Sequence, residues 1–416
     1  MNFNQDIINL IENAEKKLST YFKKLDEIAL FNQNKVLDAF RNNNIASRHM
    51  CGTTGYGYDD IGRDTLCKLY SDIFHTEACV VSPLIVSGTH ALTLALFAGL
   101  RPNDTMLSIT GAPYDTLRTV IGGENIGSLK DFGISYEQID LINSKFDFDA
   151  IKNALENKVY KLIFIGRSRG YEWRDALSVE QIGEVIELIR KIQPNTIIMV
   201  DNCYGEFMDI LEPSDVGADM MVGSLIKNPG GGLAPTGGYI AGKKEIIDQV
   251  AYRLTAPSIG MEVGSYISGY VPYYQGIFLA PHTVINAVKG SALMGQVFKD
   301  LGYEVMPEPE APCNDIIRSI KFNTADELIK FIQSIQKASP IDSNVVPYPW
   351  AMPGYENEVI MAAGTFTQGA SIELSADSPI KEPYIAYVQG GLTYEHVKIA
   401  TMMCAEEVIK TNSLTK

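Results

Sequence analysis

From about residue 64, the sequence alternates between short apolar runs and longer segments with helical spacing. Several of the runs are continuously apolar, which is typical of strands buried on both faces of a sheet. The segments between them carry the 3.6-residue period of helices. This alternation predicts an α/β fold with a large, mostly parallel sheet. The predicted strands are residues 78–82, 105–110, 161–166, 196–202, 220–225 and 238–242.

Both ends of the chain differ from this central pattern. Residues 4–44 predict two amphipathic helices, and the Gly- and Tyr-rich break at 51–64 that follows them indicates an arm rather than core. Towards the C-terminus, a predicted helix over 274–299 leads to a smaller α+β unit with predicted strands at 315–322 and 370–376. We therefore predict three parts. They are a helical arm (1–50), a large domain (51–285) and a small C-terminal domain (286–416).

Composition and charge exclude several classes of protein. The 416 residues are 46% hydrophobic and 20% charged, which excludes disordered, collagen-like and coiled-coil chains. The 35 basic and 50 acidic residues give a net charge of −15, so we expect no binding to nucleic acid or to an anionic membrane surface. A single phosphate can still be held by backbone N–H groups, which do not appear in a charge count.

Targeting, membrane and metal-binding signals are not found in the sequence. The first residues lack the apolar core of a signal peptide, and no uncharged apolar stretch of about 18 residues occurs. The six cysteines form no CxxC pair, and the five histidines form no HxxxH pair. We therefore expect a cytoplasmic protein with reduced thiols, no membrane segment and no metal.

The predicted strand at 78–82 leads to Ser87, Gly88 and Thr89, directly before a strong helix. Glycine lets backbone N–H groups approach a ligand closely, and a helix N-terminus favours negative charge. A phosphate therefore fits this segment. Considered alone, however, Ser87 or Thr89 is better explained as a helix cap.

Three further candidate residues lie at or just after the C-terminal end of a predicted strand. Asp201 lies at the edge where open α/β sheets bind ligands, and its carboxylate suits a protonated heteroaromatic nitrogen. Lys227 lies between a buried strand and a glycine-rich loop, where desolvation can keep an amine nucleophilic toward a carbonyl. Tyr114 can stack on a flat ring. Each has an ordinary alternative, which is a turn aspartate, a surface lysine or a half-buried tyrosine.

Taken together, these features fit one ligand, pyridoxal 5′-phosphate (PLP), which needs a phosphate cradle, a stacking aromatic ring, an aspartate and an amine. At this point the sequence resembles the fold-type I PLP enzymes of cysteine and methionine metabolism. It is most similar to the methionine gamma-lyase-like proteins often labelled aluminium resistance proteins. The resemblance runs from about residue 50 to the C-terminus and rests on the strings SGTHAL, VDNCYGEF, GSLIKNPGG and RSRGY.

The resemblance implies a role for each candidate residue. Lys227 would form the Schiff base with PLP and, once freed by substrate, move the proton. Asp201 would keep the pyridine nitrogen protonated, so that the ring acts as an electron sink. Tyr114 would stack on the ring and assist proton transfer. The phosphate would be held by the cradle and by a nearby hydroxyl, namely by Ser87, Gly88, Thr89 and Ser224.

The family also uses residues from a neighbouring subunit and a small-domain arginine. Tyr58 and Arg63, in GYGYDDIGR, correspond to the partner's phosphate ligands, so we expect at least a homodimer and, by family habit, a homotetramer. The small-domain arginine that binds the substrate carboxylate is missing from SIELSAD and AYVQGGLTYEH. Arg167 and Arg169 offer a guanidinium fork instead, with salt bridging to acidic groups as an equal alternative.

The resemblance thus implies a PLP-dependent lyase that takes an amino-acid substrate and eliminates a sulfur-linked group from its β or γ carbon. Two alternatives stay open. A PLP-binding stress-tolerance protein with weak or no turnover is favoured by the missing arginine, and an aminotransferase would use the same cofactor. A nicotinamide dehydrogenase is a poorer interpretation, because no GxGxxG follows the first buried strand.

Overall fold

A computed structural model describes residues 3–351 and 357–414, which form two sheets with helices packed around them. The helices are α1 (Gln5–Asn42), α2 (Ile61–Ile73), α3 (Gly88–Gly99), α4 (Asp115–Gly122), α5 (Phe148–Asn157), α6 (Val179–Ile192), α7 (Lys244–Leu254), α8 (Val271–Asp300), α9 (Ala325–Ala338) and α10 (Tyr394–Leu414). None of the helices in this part of the chain combines the length and the apolar character needed to cross a bilayer.

The larger sheet confirms the mostly parallel α/β architecture. Its strands are β1 (Ala78–Ser82), β2 (Thr105–Ser108), β3 (Ser135–Gln138), β4 (Leu162–Gly166), β5 (Ile197–Asp201), β6 (Met220–Ser224) and β7 (Gly238–Gly242). They lie in the order β1-β7-β6-β5-β4-β2-β3, and among the described strands of this sheet β7 alone runs against the others. Six of the seven strands match the predicted ones to within two residues at each end, and β3 is the additional strand.

The smaller sheet is antiparallel and corrects one predicted strand. Its strands are β8 (Glu304–Met306), β9 (Ile317–Phe322), β10 (Val359–Ala362), β11 (Ser375–Pro379) and β12 (Tyr384–Gln389), in the order β10-β11-β12-β9-β8. The strand predicted at 370–376 begins at Ser375 instead. Residues before it turn back, because the Glu373 carboxylate accepts hydrogen bonds from the N–H groups of Phe366 and Thr367 at 2.8 and 2.9 Å.

The N-terminal segment is one helix, and the prediction of two helices was wrong. Apolar positions recur along α1 every three or four residues through the presumed break, so nothing in the pattern ends the helix there. They belong to the same core as α8, and α1 lies along α8. The buried apolar positions in this first part of α1 are Ile7, Ile11, Ala14, Leu18, Tyr21 and Leu25.

Helix α8 is continuous through residue 285, where the boundary between the large and small domains is predicted. Its bounds agree with the predicted helix over 274–299. The division of the chain into an arm, a large domain and a small domain stays a prediction.

Candidate active site

The carboxyl ends of the parallel strands bring the candidate residues to one edge of the larger sheet. Asp201 is the last residue of β5 and pairs with Val222 of the adjacent strand β6. Lys227 follows three residues after Ser224, which ends β6. Because β5 and β6 are parallel neighbours, Asp201 and the loop that carries Lys227 lie at the same edge.

The N-terminus of α3 faces this edge. The Ser87 side chain caps the helix by accepting a hydrogen bond from the N–H of His90 at 3.1 Å, so its oxygen is already used as a cap. Within the described residues, no protein group accepts a hydrogen bond from the N–H of Gly88 or Thr89. A Cβ placed on Gly88 would lie 3.5 Å from the Ser224 Cβ, so the helix end and the end of β6 are close neighbours.

Tyr114 joins the helix end to the loop after β2. Its hydroxyl and the Thr89 Oγ1 share a hydrogen bond of 3.0 Å, and its side chain is 45% exposed. Burial of the hydroxyl raises the Tyr114 pKa above its usual value, with a smaller contribution from the Asp201 charge. The phenol therefore keeps its proton at neutral pH, and the exposed part of the ring can stack on a ligand.

Lys227 and Asp201 influence each other electrostatically. Burial lowers the pKa of the Lys227 amine, but the ionisable side chains around it, led by Cys203 and Tyr204, outweigh this effect and leave the pKa above its ordinary value. Burial raises the pKa of the Asp201 carboxyl, whereas the charge on Lys227 and the N–H of Cys203, at 3.1 Å, act in the opposite direction. The amine and the carboxyl are thus neighbours at one site.

The loop after Lys227 is fixed by close backbone packing against α8. Gly231 adopts a φ of +56°, in the left-handed region that favours glycine. A Cβ on Gly231 would collide with the carbonyl oxygen of Gly276 in α8, and a Cβ on Gly276 would collide with the carbonyl oxygen of Gly230. The backbone on the C-terminal side of Lys227 therefore rests directly on the α8 backbone.

These groups fit PLP in their chemistry. The N–H groups of Gly88 and Thr89 and the Ser224 hydroxyl suit a phosphate, and the Asp201 carboxyl suits a pyridine nitrogen. The Lys227 Nζ, which makes no hydrogen bond among the described residues, suits the aldehyde once the amine has lost its proton. In the same part of the chain, no three His, Cys, Asp or Glu side chains come together as metal ligands.

Arg167 and Arg169 are buried and already bonded to protein groups. Arg167 donates hydrogen bonds of 2.8 Å to the Asn202 side chain and to the Gly205 carbonyl, and it lies 3.7 Å from Glu212. Arg169 pairs with Asp315 at 3.2 Å and donates to backbone carbonyls near the smaller sheet. Binding of the substrate carboxylate by either arginine stays a prediction.

Replacing Arg167 with methionine is expected to lower the free energy of unfolding by about 3–5 kcal/mol, because the change leaves Glu212 buried without its cation. Urea denaturation followed by circular dichroism measures the loss. The matched control is Lys191→Met, which removes the cation of an exposed pair with Glu187 and should cost less than about 1 kcal/mol. Equal losses in the two variants would contradict a buried structural role for Arg167.

Tyr58 lies just before α2, and Arg63 lies in the first turn of that helix. The Tyr58 side chain is 64% exposed and its ring lies 5.5 Å from that of Tyr56. Arg63 is buried and donates hydrogen bonds to the Gly57 carbonyl and to Asp64. Within one chain, Arg63 thus fixes the segment that carries Tyr58.

The segment after Asp201 supplies site residues that sequence reasoning missed. Tyr204 places its ring 4.2 Å from the Lys227 Nζ, and Cys203 lies near the helix end at Gly88. Glu206 is fully buried and accepts a hydrogen bond of 2.9 Å from the Tyr239 hydroxyl. The segment VDNCYGEF includes Asp201, so the residues that follow Asp201 lie just past the carboxyl end of β5, and this position is the signal that they approach the site.

Glu206 predicts a fall in stability as pH rises. Burial, reinforced by the Glu212 charge, raises its pKa to about 8, so the folded protein holds a proton that the unfolded chain releases near pH 4.5. The stabilisation is complete below about pH 4.5 and is lost as pH rises to about 8, by up to about 1.4 kcal/mol per pH unit. Denaturant unfolding of wild type and Glu206→Gln between pH 5 and pH 8 measures the difference.

In that comparison, wild type should lose stability relative to Glu206→Gln as pH increases. The control Glu180→Gln, at an exposed position in α6, should follow wild type at every pH. A difference between wild type and Glu206→Gln that does not change with pH would show that Glu206 is ionised in the folded protein.

The sheet order, the free helix N-terminus and the lysine–aspartate pair define a fold-type I PLP-dependent protein. A structural comparison agrees, since the PLP-dependent protein YhfS from Escherichia coli matches with a TM-score of 0.64 over 93% of this chain and 97% of that one, although at 14% identity this shows the fold alone. The family model for methionine gamma-lyase matches residues 7–409. The chain therefore belongs to the methionine gamma-lyase family, and PLP is its cofactor.

Closer relatives share nearly the whole chain. The Bacillus subtilis protein YnbB is 50% identical over 401 residues, which cover 95% of each chain. A structure from Clostridium novyi NT, named as a carbon-sulfur lyase involved in aluminum resistance, matches with a TM-score of 0.93 and 50% identity over 97% of this chain and 96% of that one. The L-methionine gamma-lyase of Fusobacterium nucleatum is more distant, at 23% identity over 52% of this chain and 51% of that protein.

Proposed function

We propose that this protein is a PLP-dependent carbon–sulfur lyase that eliminates a sulfur-linked group from the β or γ carbon of an amino acid. The observation that carries the proposal is the Lys227 amine, which lies at the sheet edge beside Asp201 and Tyr114 without a hydrogen bond among the described residues. An amine in this position is free to bond to an aldehyde and afterwards to take a proton. The family match supports the same reaction class.

Each residue has a distinct part in the proposed reaction. Bound PLP supplies an electron sink for the substrate carbon. Lys227 takes the α-proton, and Asp201 holds the proton on the pyridine nitrogen through a charge-assisted hydrogen bond. Tyr114, neutral because its pKa is raised, can donate a proton to the departing sulfur. Gly88 and Thr89 hold the phosphate through their N–H groups.

A substrate screen tests this function. Purified holoenzyme is incubated separately with cysteine, cystathionine, homocysteine and methionine, and keto-acid release is measured. We expect release from at least one of them, with the sulfur product in equal amount. Transfer of the amino group to an added keto acid without loss of sulfur would identify an aminotransferase instead.

A second candidate is a PLP-binding protein with little or no lyase turnover. It is favoured by the ion pairs of Arg167 with Glu212 and of Arg169 with Asp315, because both guanidinium groups are already matched with carboxylates. This candidate predicts a yellow protein whose visible spectrum does not change when amino acids are added. Steady-state keto-acid release would eliminate it.

We also propose that the active site is shared between two subunits, with Tyr58 reaching the partner's phosphate and Arg63 fixing its segment. The exposure of Tyr58 in the single chain supports this arrangement. Mixing inactive Lys227→Ala and Tyr58→Ala variants after mild dissociation should then restore keto-acid release, because one site of each mixed dimer has both residues intact. If mixed dimers form and no activity returns, Tyr58 acts within its own chain or not at all.

A further inference from the structure

Tyr204 has an unusual backbone conformation directly after the Asp201 turn. Its φ is +70°, in the left-handed region that residues other than glycine seldom adopt. Such a conformation is energetically unfavourable and persists only where the surrounding structure enforces it. The strain therefore points to contacts on both sides of Tyr204.

The buried Arg167 guanidinium holds the turn on both sides of Tyr204. Through the same nitrogen, it donates hydrogen bonds of 2.8 Å to the Asn202 side chain and to the Gly205 carbonyl. The turn is closed by a hydrogen bond of 2.9 Å from the Gly205 N–H to the Asn202 carbonyl. Tyr204 thus projects from a turn that a fully buried cation fixes at two points.

The ring of Tyr204 is also fixed by packing. It lies against a small apolar cluster that includes Ile317, Ile385 and Tyr387 from the smaller sheet, together with Trp173. Contacts from two different strands limit the orientations open to the ring. The face that remains lies toward Lys227, with 4.2 Å between the ring centroid and Nζ.

An aromatic face distinguishes between the two protonation states of an amine. It attracts an ammonium group electrostatically, most strongly where both are removed from water, and attracts a neutral amine far less. No hydrogen-bond acceptor among the described residues contacts the Lys227 Nζ, whereas the Tyr204 ring centroid lies 4.2 Å from it. The arrangement therefore selects the protonated amine.

We propose that Tyr204 is a positioning residue that receives the Lys227 ammonium whenever the amine is not joined to PLP. Tyr204 has this role in the cofactor-free protein. It has the same role in the moment after proton abstraction, and that part of the proposal rests on the proposed lyase reaction. In that step the substrate Cα–H bond breaks, an N–H bond forms on Lys227, and the electron pair stays with the substrate carbon. Tyr204 then keeps the charged amine close to the reacting atoms.

The first test uses cofactor-free full-length protein and PLP alone, so it does not depend on any lyase activity. Only the neutral amine attacks the aldehyde, so the rate of PLP attachment rises with pH through the Lys227 pKa. Stopped-flow absorbance gives the midpoint of that rise. We expect Tyr204→Leu to lower the midpoint by about half to one pH unit, because the ammonium loses its aromatic partner.

The conservative variant separates the ring from the hydroxyl. Tyr204→Phe keeps the aromatic face and should keep the wild-type midpoint, and Phe132→Leu at an exposed ring outside the site is the matched control. An unchanged midpoint in Tyr204→Leu, or an equal shift in Tyr204→Phe, would overturn the proposal. If Tyr204→Leu does not fold, Tyr204→Met is measured in its place. The proposal can then still be overturned by a shifted midpoint in Tyr204→Phe.

The second test uses the holoenzyme with whichever substrate is turned over. Tyr204→Leu should lower kcat by about fivefold to tenfold and leave KM nearly unchanged, because the ring acts after the substrate is bound. Tyr204→Phe should retain most of the wild-type kcat. A rise in KM with kcat unchanged would instead assign Tyr204 to substrate binding. If no lyase activity is found, the cofactor-attachment measurement still decides the role of Tyr204.

Discussion

Replacing Lys227 with alanine is expected to lower keto-acid release by at least about 10³-fold and to remove covalent attachment of PLP. The variant loses both the amine that bonds to the aldehyde and the base that takes the α-proton. Borohydride reduction followed by peptide mass spectrometry locates the attached pyridoxyl group in wild type. We expect the label on Lys227 and no label in Lys227→Ala.

Two controls make this result specific. Lys243→Ala removes a half-exposed lysine that pairs with Asp219, which lies at the opposite end of β6 from Ser224, and it should retain wild-type activity and labelling. Addition of a small primary amine to Lys227→Ala should restore part of the rate if the missing group is a base. Keto-acid release within tenfold of wild type in Lys227→Ala would refute the assignment.

Replacing Asp201 with asparagine is expected to lower kcat by about 10²–10³-fold while covalent attachment of PLP to Lys227 continues. The amide keeps the size of the side chain, but it no longer offers a negative charge to the protonated ring nitrogen, and the ring becomes a weaker electron sink. Steady-state kinetics give the loss in kcat, and borohydride labelling shows whether the cofactor is still attached.

The pairing of kinetics with labelling separates chemistry from cofactor loss. Asp248→Asn, which affects an exposed ion pair with Lys244, should behave as wild type in both measurements. Labelling as in wild type together with a kcat within threefold of wild type would exclude Asp201 as the partner of the ring nitrogen. Loss of labelling would instead assign Asp201 to cofactor binding as a whole.

The larger sheet was predictable because most of its strands are apolar on both faces, whereas the exceptions depend on other signals. β3 (Ser135–Gln138) is mainly exposed at the sheet edge, so it lacks an apolar run and was missed. The N-terminal segment was divided into two helices although its apolar spacing continues through Tyr21 and Leu25. The start of β11 depends on the side chain of Glu373, which a strand pattern does not represent.

The part of the candidate site that was predictable consists of residues whose type and position at a strand end identify them. Asp201 and Ser224 end two parallel strands and Lys227 follows the second, so all three lie at one edge of the sheet, and this is a local property of the sequence. The ion pair of Arg169 with Asp315 spans 146 residues, so only the folded chain reveals it. The importance of Tyr204 depends on its φ and on contacts from a second sheet, neither of which residue type conveys.

The close packing of Gly230 and Gly231 against Gly276 links the reactive amine, through α8, to the N-terminal helix α1. Lys227 is carried by a loop that has no spare volume against α8, and α8 in turn is covered by α1. A methyl group added to Gly276 must move either the lysine or a helix of 30 residues. Any side chain introduced at these glycines would therefore disturb the position of Lys227, although the glycines themselves carry no reactive group.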